Sequence, residues 1–230
     1  MVVRTRYVLF DFDGPICRLF HGYPATEIAR AQVKWLKDQG RDGLLTEEER
    51  FSPDPHGVLS AFAARHPGSD LLIDLEEILT QHELRAAGVA WPTMYADPLI
   101  QTWVATGARL AIVTNNSART VAEYLRDRKL LSCFAPHIYG RRAQEMHFLK
   151  PHPETLNRAL RAMGAAPEAS LMIGDTDSDA DAARAAGVRF LGYASSARAV
   201  RRMRGAGVPE RDIMDSLEPL LDAVRAVKHS

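Results

Sequence analysis

Two carboxylates stand on alternate residues in Asp11-Phe12-Asp13-Gly14, directly after the apolar run Tyr7-Val8-Leu9-Phe10. Side chains alternate across a strand, so Asp11 and Asp13 share a face only where the backbone stays extended, and Gly14 then lets the chain turn sharply. Like charges this close repel, and a cation or a shared proton has to offset the repulsion. The segment reads as a catalytic strand end.

A second acidic cluster, Gly174-Asp175-Thr176-Asp177-Ser178-Asp179, closes the apolar run Leu171-Met172-Ile173 and leads into a helical stretch from Ala180 to Ala186. Between the two clusters, Val113-Thr114-Asn115-Asn116-Ser117 ends the run Leu110-Ala111-Ile112, and Lys150 precedes Pro151. Asp, Thr, Lys and Asp thus follow one another at, or just beyond, the ends of strand-like runs. Open α/β sheets bind ligands at the carboxyl ends of their strands.

The elements that must position these residues are visible from Asp97 onward, where strand-like runs at 109–114, 136–139, 170–174 and 188–192 alternate with amphipathic helical patterns. That alternation is the signature of a parallel sheet with crossover helices. Asp97-Pro98 places a cap before a first-turn proline in a helix carrying Leu99, Ile100, Trp103 and Val104 and ending at Gly107. Another helix begins at Pro153, carries Leu156, Leu160 and Met163, and stops at Gly164. Residues 15 to about 96 show helical spacing without a convincing strand, with helices predicted at 25–39, 55–66 and 70–87 and a hinge at Gly88-Val89-Ala90-Trp91-Pro92. The expected fold is therefore α/β, a doubly wound parallel sheet, with residues 1–14 and 97–230 forming the core and 15–96 a small all-helical cap.

Composition narrows the function classes. Lys plus Arg and Asp plus Glu both number 29, so no basic field argues for nucleic acid and no acidic excess argues for disorder. No signal peptide is read at Met1 to Arg6, and no apolar run reaches the roughly 18 to 20 residues a membrane crossing needs. The two cysteines, Cys17 and Cys133, have no metal-like spacing. A reduced, cytoplasmic chain acting on a small ligand, with no membrane and as monomer or homodimer, is expected.

In this order the four segments resemble the motifs of haloacid dehalogenase (HAD) superfamily phosphohydrolases of the helical-cap subclass, over the core from Tyr7 to about Gly192. The resemblance implies a HAD-like, Rossmannoid core and a Mg²⁺-dependent phosphatase of a small phosphorylated metabolite. Enzymes accelerate phosphate-monoester hydrolysis by up to about 10²¹-fold, so several effects must act together. By resemblance Asp11 is the nucleophile that becomes an aspartyl-phosphate, and Asp13 protonates the leaving alkoxide and then activates water. That second aspartate separates phosphohydrolases from dehalogenases, whose leaving halide needs no proton. Asp11, the Asp13 carbonyl and Asp175 make an oxygen-only cation site that suits Mg²⁺, and Asp179 matches the second acidic position, binding a metal water or Lys150. Thr114 and Lys150 are the implied donors to the transferring phosphoryl oxygens, with Asn115 beside them reaching phosphate through side chain or backbone.

Other residues carry weaker signals. Pro15 stands where many of these phosphohydrolases have Thr, removing one backbone donor. Cys17 reads as a plain buried cysteine, Asp177 and Asp181 as solvated first-turn acids, and Asn116 as either a phosphate contact or a helix cap. Among Arg18, His21, His56, His66 and His82 in the cap, Arg18 and His21 are favoured for substrate because they follow the catalytic loop. Arg198, Arg201, Arg202 and Arg204 read as a solvated helix face, and Trp35, Trp91 and Trp103 as core or hinge packing. Phosphoglycolate-like and sugar-phosphate substrates are both open. A phosphomutase would share every motif, and a non-catalytic phospho-ligand-binding protein is the alternative from another class.

Overall fold

The computed structural model describes residues 5–228, so Met1 to Arg4, where no signal peptide was read, lie outside the described residues. In chain order the elements are β1 (Tyr7–Phe10), β2 (Cys17–Arg18), α1 (Ala25–Asp38), α2 (Glu47–Arg50), α3 (Pro55–Arg65), α4 (Asp70–Ala87) and β3 (Trp91–Pro92). They continue with α5 (Ala96–Ala105), β4 (Arg109–Ser117), α6 (Ala118–Asp127), α7 (Leu131–Phe134), β5 (Ile138–Arg141) and α8 (Glu154–Met163). Last come β6 (Ser170–Gly174), α9 (Asp177–Ala185), β7 (Arg189–Tyr193), α10 (Ala197–Gly205), β8 (Ile213–Met214) and α11 (Glu218–Lys228).

β1 is apolar on both faces because helices cover both sides of the sheet, as a parallel sheet requires. Val8 and Phe10 pack with Leu99, Trp103, Val121 and Leu221 on one side, while Leu9 packs with Val113, Leu156, Leu160 and Met172 on the other. The six strands run in the order β5-β4-β1-β6-β7-β8 with every neighbouring pair parallel. The chain winds outward from β1 in both directions, so the crevice that binds ligands in such sheets lies at the carboxyl end of β1, between β4 and β6. Register sets the level of that crevice, since Phe10 stands opposite both Ile112 and Ile173. The residues following all three therefore emerge at one edge.

A second apolar cluster belongs to the helical segment between β2 and β3, where Ile28 and Leu36 of α1, Val58, Leu59 and Phe62 of α3, and Leu72, Leu75 and Leu79 of α4 are buried together. This segment was read as lacking strands; it contains a two-residue antiparallel pair, Cys17 opposite Pro92 and Arg18 opposite Trp91, at its base. Such a pair is too short to leave a periodic pattern. Thr93 anchors it to the turn that follows β1, donating through N to Ile16 O at 3.0 Å and through Oγ1 to Gly14 O at 2.5 Å. Trp91, expected to pack, is 57% exposed with its ring 4.3 Å from that of His21. Asp97 is not the cap of α5: that position belongs to Tyr95, at φ 67°, and Asp97 instead ion-pairs with Arg128. The cap of α6 is Ser117, whose side chain accepts from Arg119 N, and Asn116 is used elsewhere.

Trp103 is fully buried, with its ring edge-on to Phe10 at 5.9 Å. Trp103→Ala should destabilise the fold by about 3–5 kcal/mol through lost burial and a residual cavity. Urea unfolding of the two proteins measures this directly, and a change below about 1 kcal/mol would contradict the packing described.

Candidate active site

Asp11 follows β1, and its N donates to Ile173 O at 2.9 Å, which continues the ladder to β6 beyond the strand's last residue. Phe12 turns into the core against Tyr124, leaving Asp11 and Asp13 on the open side. Gly14 then turns the chain at φ +105°, and a Cβ there would stand 2.4 Å from the Asp175 carboxyl carbon. A glycine is required twice over, by its dihedral and by that approach. Gly174 is constrained in the same way, because a Cβ would meet the Asp179 side chain at 2.5 Å.

Lys150 Nζ is buried between two carboxylates, donating to Asp11 Oδ1 at 2.8 Å and Asp179 Oδ1 at 2.5 Å. The neighbouring charges hold its ammonium well above the usual lysine range although burial opposes this. Asn115 does not reach into the crevice with its side chain; it clasps the Lys150 backbone, accepting from Lys150 N at 2.9 Å and donating to Lys150 O at 3.0 Å. Asp179 works through both oxygens. Its Oδ2 accepts from Asp175 N, Thr176 N and Thr176 Oγ1, closing a capping box at the start of α9, while Oδ1 faces Lys150.

Carboxylate oxygens of Asp11, Asp175 and Asp179 lie within 4.8 Å of one another. Asp175 Oδ1 is buried with no hydrogen-bond partner among the described residues, and burial together with the nearby aspartates pushes its carboxyl well up. This is a set of oxygen donors with one unanswered demand for positive charge, so the cluster fits a hard divalent cation. Burial also raises the Asp13 carboxyl to about 7, against the opposing hydrogen bond that its Oδ1 accepts from Leu19 N at 2.8 Å. Asp11 is pushed up by burial as well, with Lys150 pulling the other way.

Thr114 is fully buried and donates through Oγ1 to Asn116 Oδ1 at 3.1 Å. Arg18 is exposed and lines a cavity of about 260 Å³ with Asp13, Gly14, His21, Asp175 and Tyr193. A larger cavity of about 580 Å³ between the α3–α4 turn and residues 143–147 contains none of these groups. The structure thus gathers Asp11, Asp13, Thr114, Lys150, Asp175 and Asp179 at one sheet edge, with Arg18 on the rim and Asn115 behind.

Several residues at the site were not expected from the sequence. Arg202, read as a solvated face, donates to the Asp175 carbonyl at 2.7 Å. Glu83 of α4 is fully buried beneath the Thr114–Ser117 strand end and paired with Arg141. Its signal was present: Glu83 falls on the buried stripe Leu72, Leu75, Leu79 and Ala86, where an acid has no place without a partner. Burial alone would raise the Glu83 carboxyl, but Arg141, His56 and their hydrogen bonds outweigh it and hold the group well below the usual carboxylate range.

The chain matches the family model of haloacid dehalogenase-like hydrolases over residues 5–187 and belongs to that family of enzymes. It is 35% identical over 195 residues to a phosphoglycolate phosphatase of Pseudomonas putida, covering 81% of this chain and 68% of that protein. It is also 37% identical over 95 residues to the pyrophosphatase PpaX of Anoxybacillus flavithermus, a match spanning 41% of this chain and 43% of that relative's length. Among solved structures, CbbY from Rhodobacter sphaeroides in complex with phosphate superposes with a TM-score of 0.66 at 20% identity, over 96% of this chain and 99% of that one.

Because the folded Glu83 carboxyl titrates below its unfolded value, it contributes stability that is full above the ordinary glutamate pKa of about 4.3 and is lost as pH falls beneath it. Wild type should exceed Glu83→Gln in unfolding free energy at about pH 7 by more than at about pH 3. Denaturant titrations at both pH values test this, and a gap that widens on acidification would reverse the sign.

Proposed function

We propose that this chain is a Mg²⁺-dependent phosphatase that transfers the phosphoryl group of a small phosphorylated metabolite to Asp11 and then to water. The carrying observation is the pair of neighbouring carboxylates in unlike settings: Asp11 held by Lys150, and Asp13 on the same side, in no salt bridge among the described residues and buried enough to titrate near 7. One is placed to attack and the other to move a proton at neutral pH. The phosphatases among its relatives support the same reading.

In this reading Asp11 Oδ attacks phosphorus in line while Asp13 gives its proton to the departing alkoxide oxygen. Asp13, now a carboxylate, takes a proton from the water that opens the aspartyl-phosphate and restores Asp11. Lys150, with one proton beyond those given to Asp11 and Asp179, donates to the phosphoryl oxygens, where charge gathers in the transition state, and Thr114 joins it by turning its hydroxyl from Asn116 to the phosphate. Asp11, Asp175 and the Asp13 carbonyl would hold Mg²⁺; with both its oxygens already engaged, Asp179 serves chiefly to hold Lys150. The cation, when bound, offsets the repulsion between an anionic nucleophile and an anionic phosphate. Residues 15–96 act as the cap over a core of 1–14 and 97–230, and Arg18 on the cavity rim contacts the leaving group. Cys17 and Cys133 are both free, which supports a reducing, cytoplasmic setting.

Removing divalent metal should abolish release of phosphate, and Mg²⁺ should restore it better than Ca²⁺, which prefers more ligands at longer distances. Turnover that persists in excess chelator, with metal content measured as nil, would overturn the cation site. Asp13→Asn should slow the first step far more for alkyl than for aryl phosphates, because nitrophenolate leaves without a proton. Its second step should be slow for both. Single-turnover kinetics should then show a burst of nitrophenolate from the aryl substrate and little alcohol from an alkyl one; equal first-step losses would remove Asp13 from proton transfer.

A further inference from the structure

Glu83 collects five hydrogen bonds: from Arg141 Nη1 at 2.9 Å and Nη2 at 3.2 Å, His56 Nε2 at 3.1 Å, Asn116 Nδ2 at 3.0 Å and Ser117 N at 2.9 Å. Arg141 and Glu83 have no exposed side-chain surface. A buried ion pair of this kind adds little net stability compared with apolar side chains of the same volume, so adhesion alone does not account for it. What these bonds share is their destination. Two of the donors, Asn116 and Ser117, close the strand end that carries Thr114, and Arg141 also donates to the Asn115 carbonyl at 2.9 Å. The remaining donor, His56, belongs to the helical segment.

The polarity of the contact matters. An ionised carboxylate can only accept, so Asn116 must turn its Nδ2 toward Glu83 and its Oδ1 toward Thr114. Thr114 Oγ1 donates to that Oδ1 at 3.1 Å and accepts from Asn116 N at 3.2 Å, which fixes the position of the oxygen at the bottom of the crevice, while its single hydrogen is free to rotate to a phosphoryl oxygen when one is bound. On the opposite flank the same carboxylate fixes His56, whose ring is 6.5 Å from that of Phe20 on the catalytic cavity.

We propose that Glu83 is a positioning residue for phosphoryl transfer, a cap carboxylate that sets the Thr114–Ser117 strand end and ties it to His56 of the helical segment. The inference rests on the phosphatase reading. It makes seating of helix α4 a condition for correct placement of Thr114, which hydrogen-bonds the phosphoryl oxygens, and so links substrate enclosure to catalysis.

The test is steady-state hydrolysis of p-nitrophenyl phosphate with Mg²⁺ by wild type, Glu83→Gln and Glu77→Gln, with thermal unfolding of each. Gln keeps the shape of Glu83 but loses the charge that gathers Arg141, Asn116 and Ser117 N, so the strand end is no longer fixed. A misplaced transition-state donor should lower kcat by about 100-fold with KM changed by less than about threefold. Glu77→Gln removes an exposed ion pair between α4 and Arg119, 2.6 Å long, and should leave kcat within about twofold. A folded Glu83→Gln protein whose kcat falls less than about tenfold overturns the proposal, as does an equal loss in Glu77→Gln. Should Glu83→Gln fail to fold, His56→Gln and Asn116→Ala decide, since their side chains meet only through Glu83. Coupling in kcat of about fivefold or more supports the proposal, and anything smaller overturns it. Wild type that releases no phosphate defeats the phosphatase reading and the inference with it; active wild type with an unaffected Glu83→Gln defeats the inference alone.

Discussion

Four aspartates, Asp11, Asp13, Asp175 and Asp179, crowd one edge of the sheet, and the Lys150 ammonium stands between two of them. Buried charges of like sign cannot share a low-dielectric site without a cation or a proton, and here both remedies are in use. Lys150 offsets Asp11 and Asp179, Asp13 retains a proton up to about 7, and Asp175 keeps one buried oxygen without a partner among the described residues. Much of the local structure follows from keeping Lys150 there. Asn115 grips its backbone, the capping box of α9 aims Asp179 at it, and Gly174 makes room for that carboxylate.

A second buried charge system lies behind the same strand end. Asn115 faces the Lys150 side, whereas Asn116 and Ser117 face Glu83 and Arg141, so the last residues of β4 are held from both flanks. Consecutive side chains of a strand point to opposite faces, which lets four successive residues serve two networks. Thr114 sits where the two meet, its Oγ1 placed by Asn116, in the stretch between Val113 and Ser117 where β4 shifts register against β5. The cost is borne by α4, which carries a carboxylate in an otherwise apolar stripe.

Local patterns in the chain located five of the six strands of the main sheet, all but the two-residue β8, and the main helices closely, including α4 at 70–87 and the glycine stop at Gly164 with φ 62°. The apolar run before Asp11 and the cluster after Ile173 were legible because a strand buried on both faces leaves no ambiguity about where its polar end begins. The pair of Cys17–Arg18 with Trp91–Pro92 was not, since a two-residue strand has no period to detect. Arg202 reads as a solvated cation in the sequence because nothing along α10 distinguishes it from Arg198 or Arg201; only the fold brings its guanidinium to the Asp175 carbonyl.

The sequence by itself determined which side chains could do chemistry and that they would end parallel strands, because residue type and hydrophobic period are local properties. Tertiary structure decided what each of them touches. Asn115 turned from the crevice to the Lys150 backbone, Asp179 divided its oxygens between a helix cap and an ammonium, and Glu83 met Arg141, 58 residues further along the chain. Such pairings depend on which carboxylates and cations share a dry space. That is set by sheet order, register and the seating of α4, none of which any stretch of the chain carries alone.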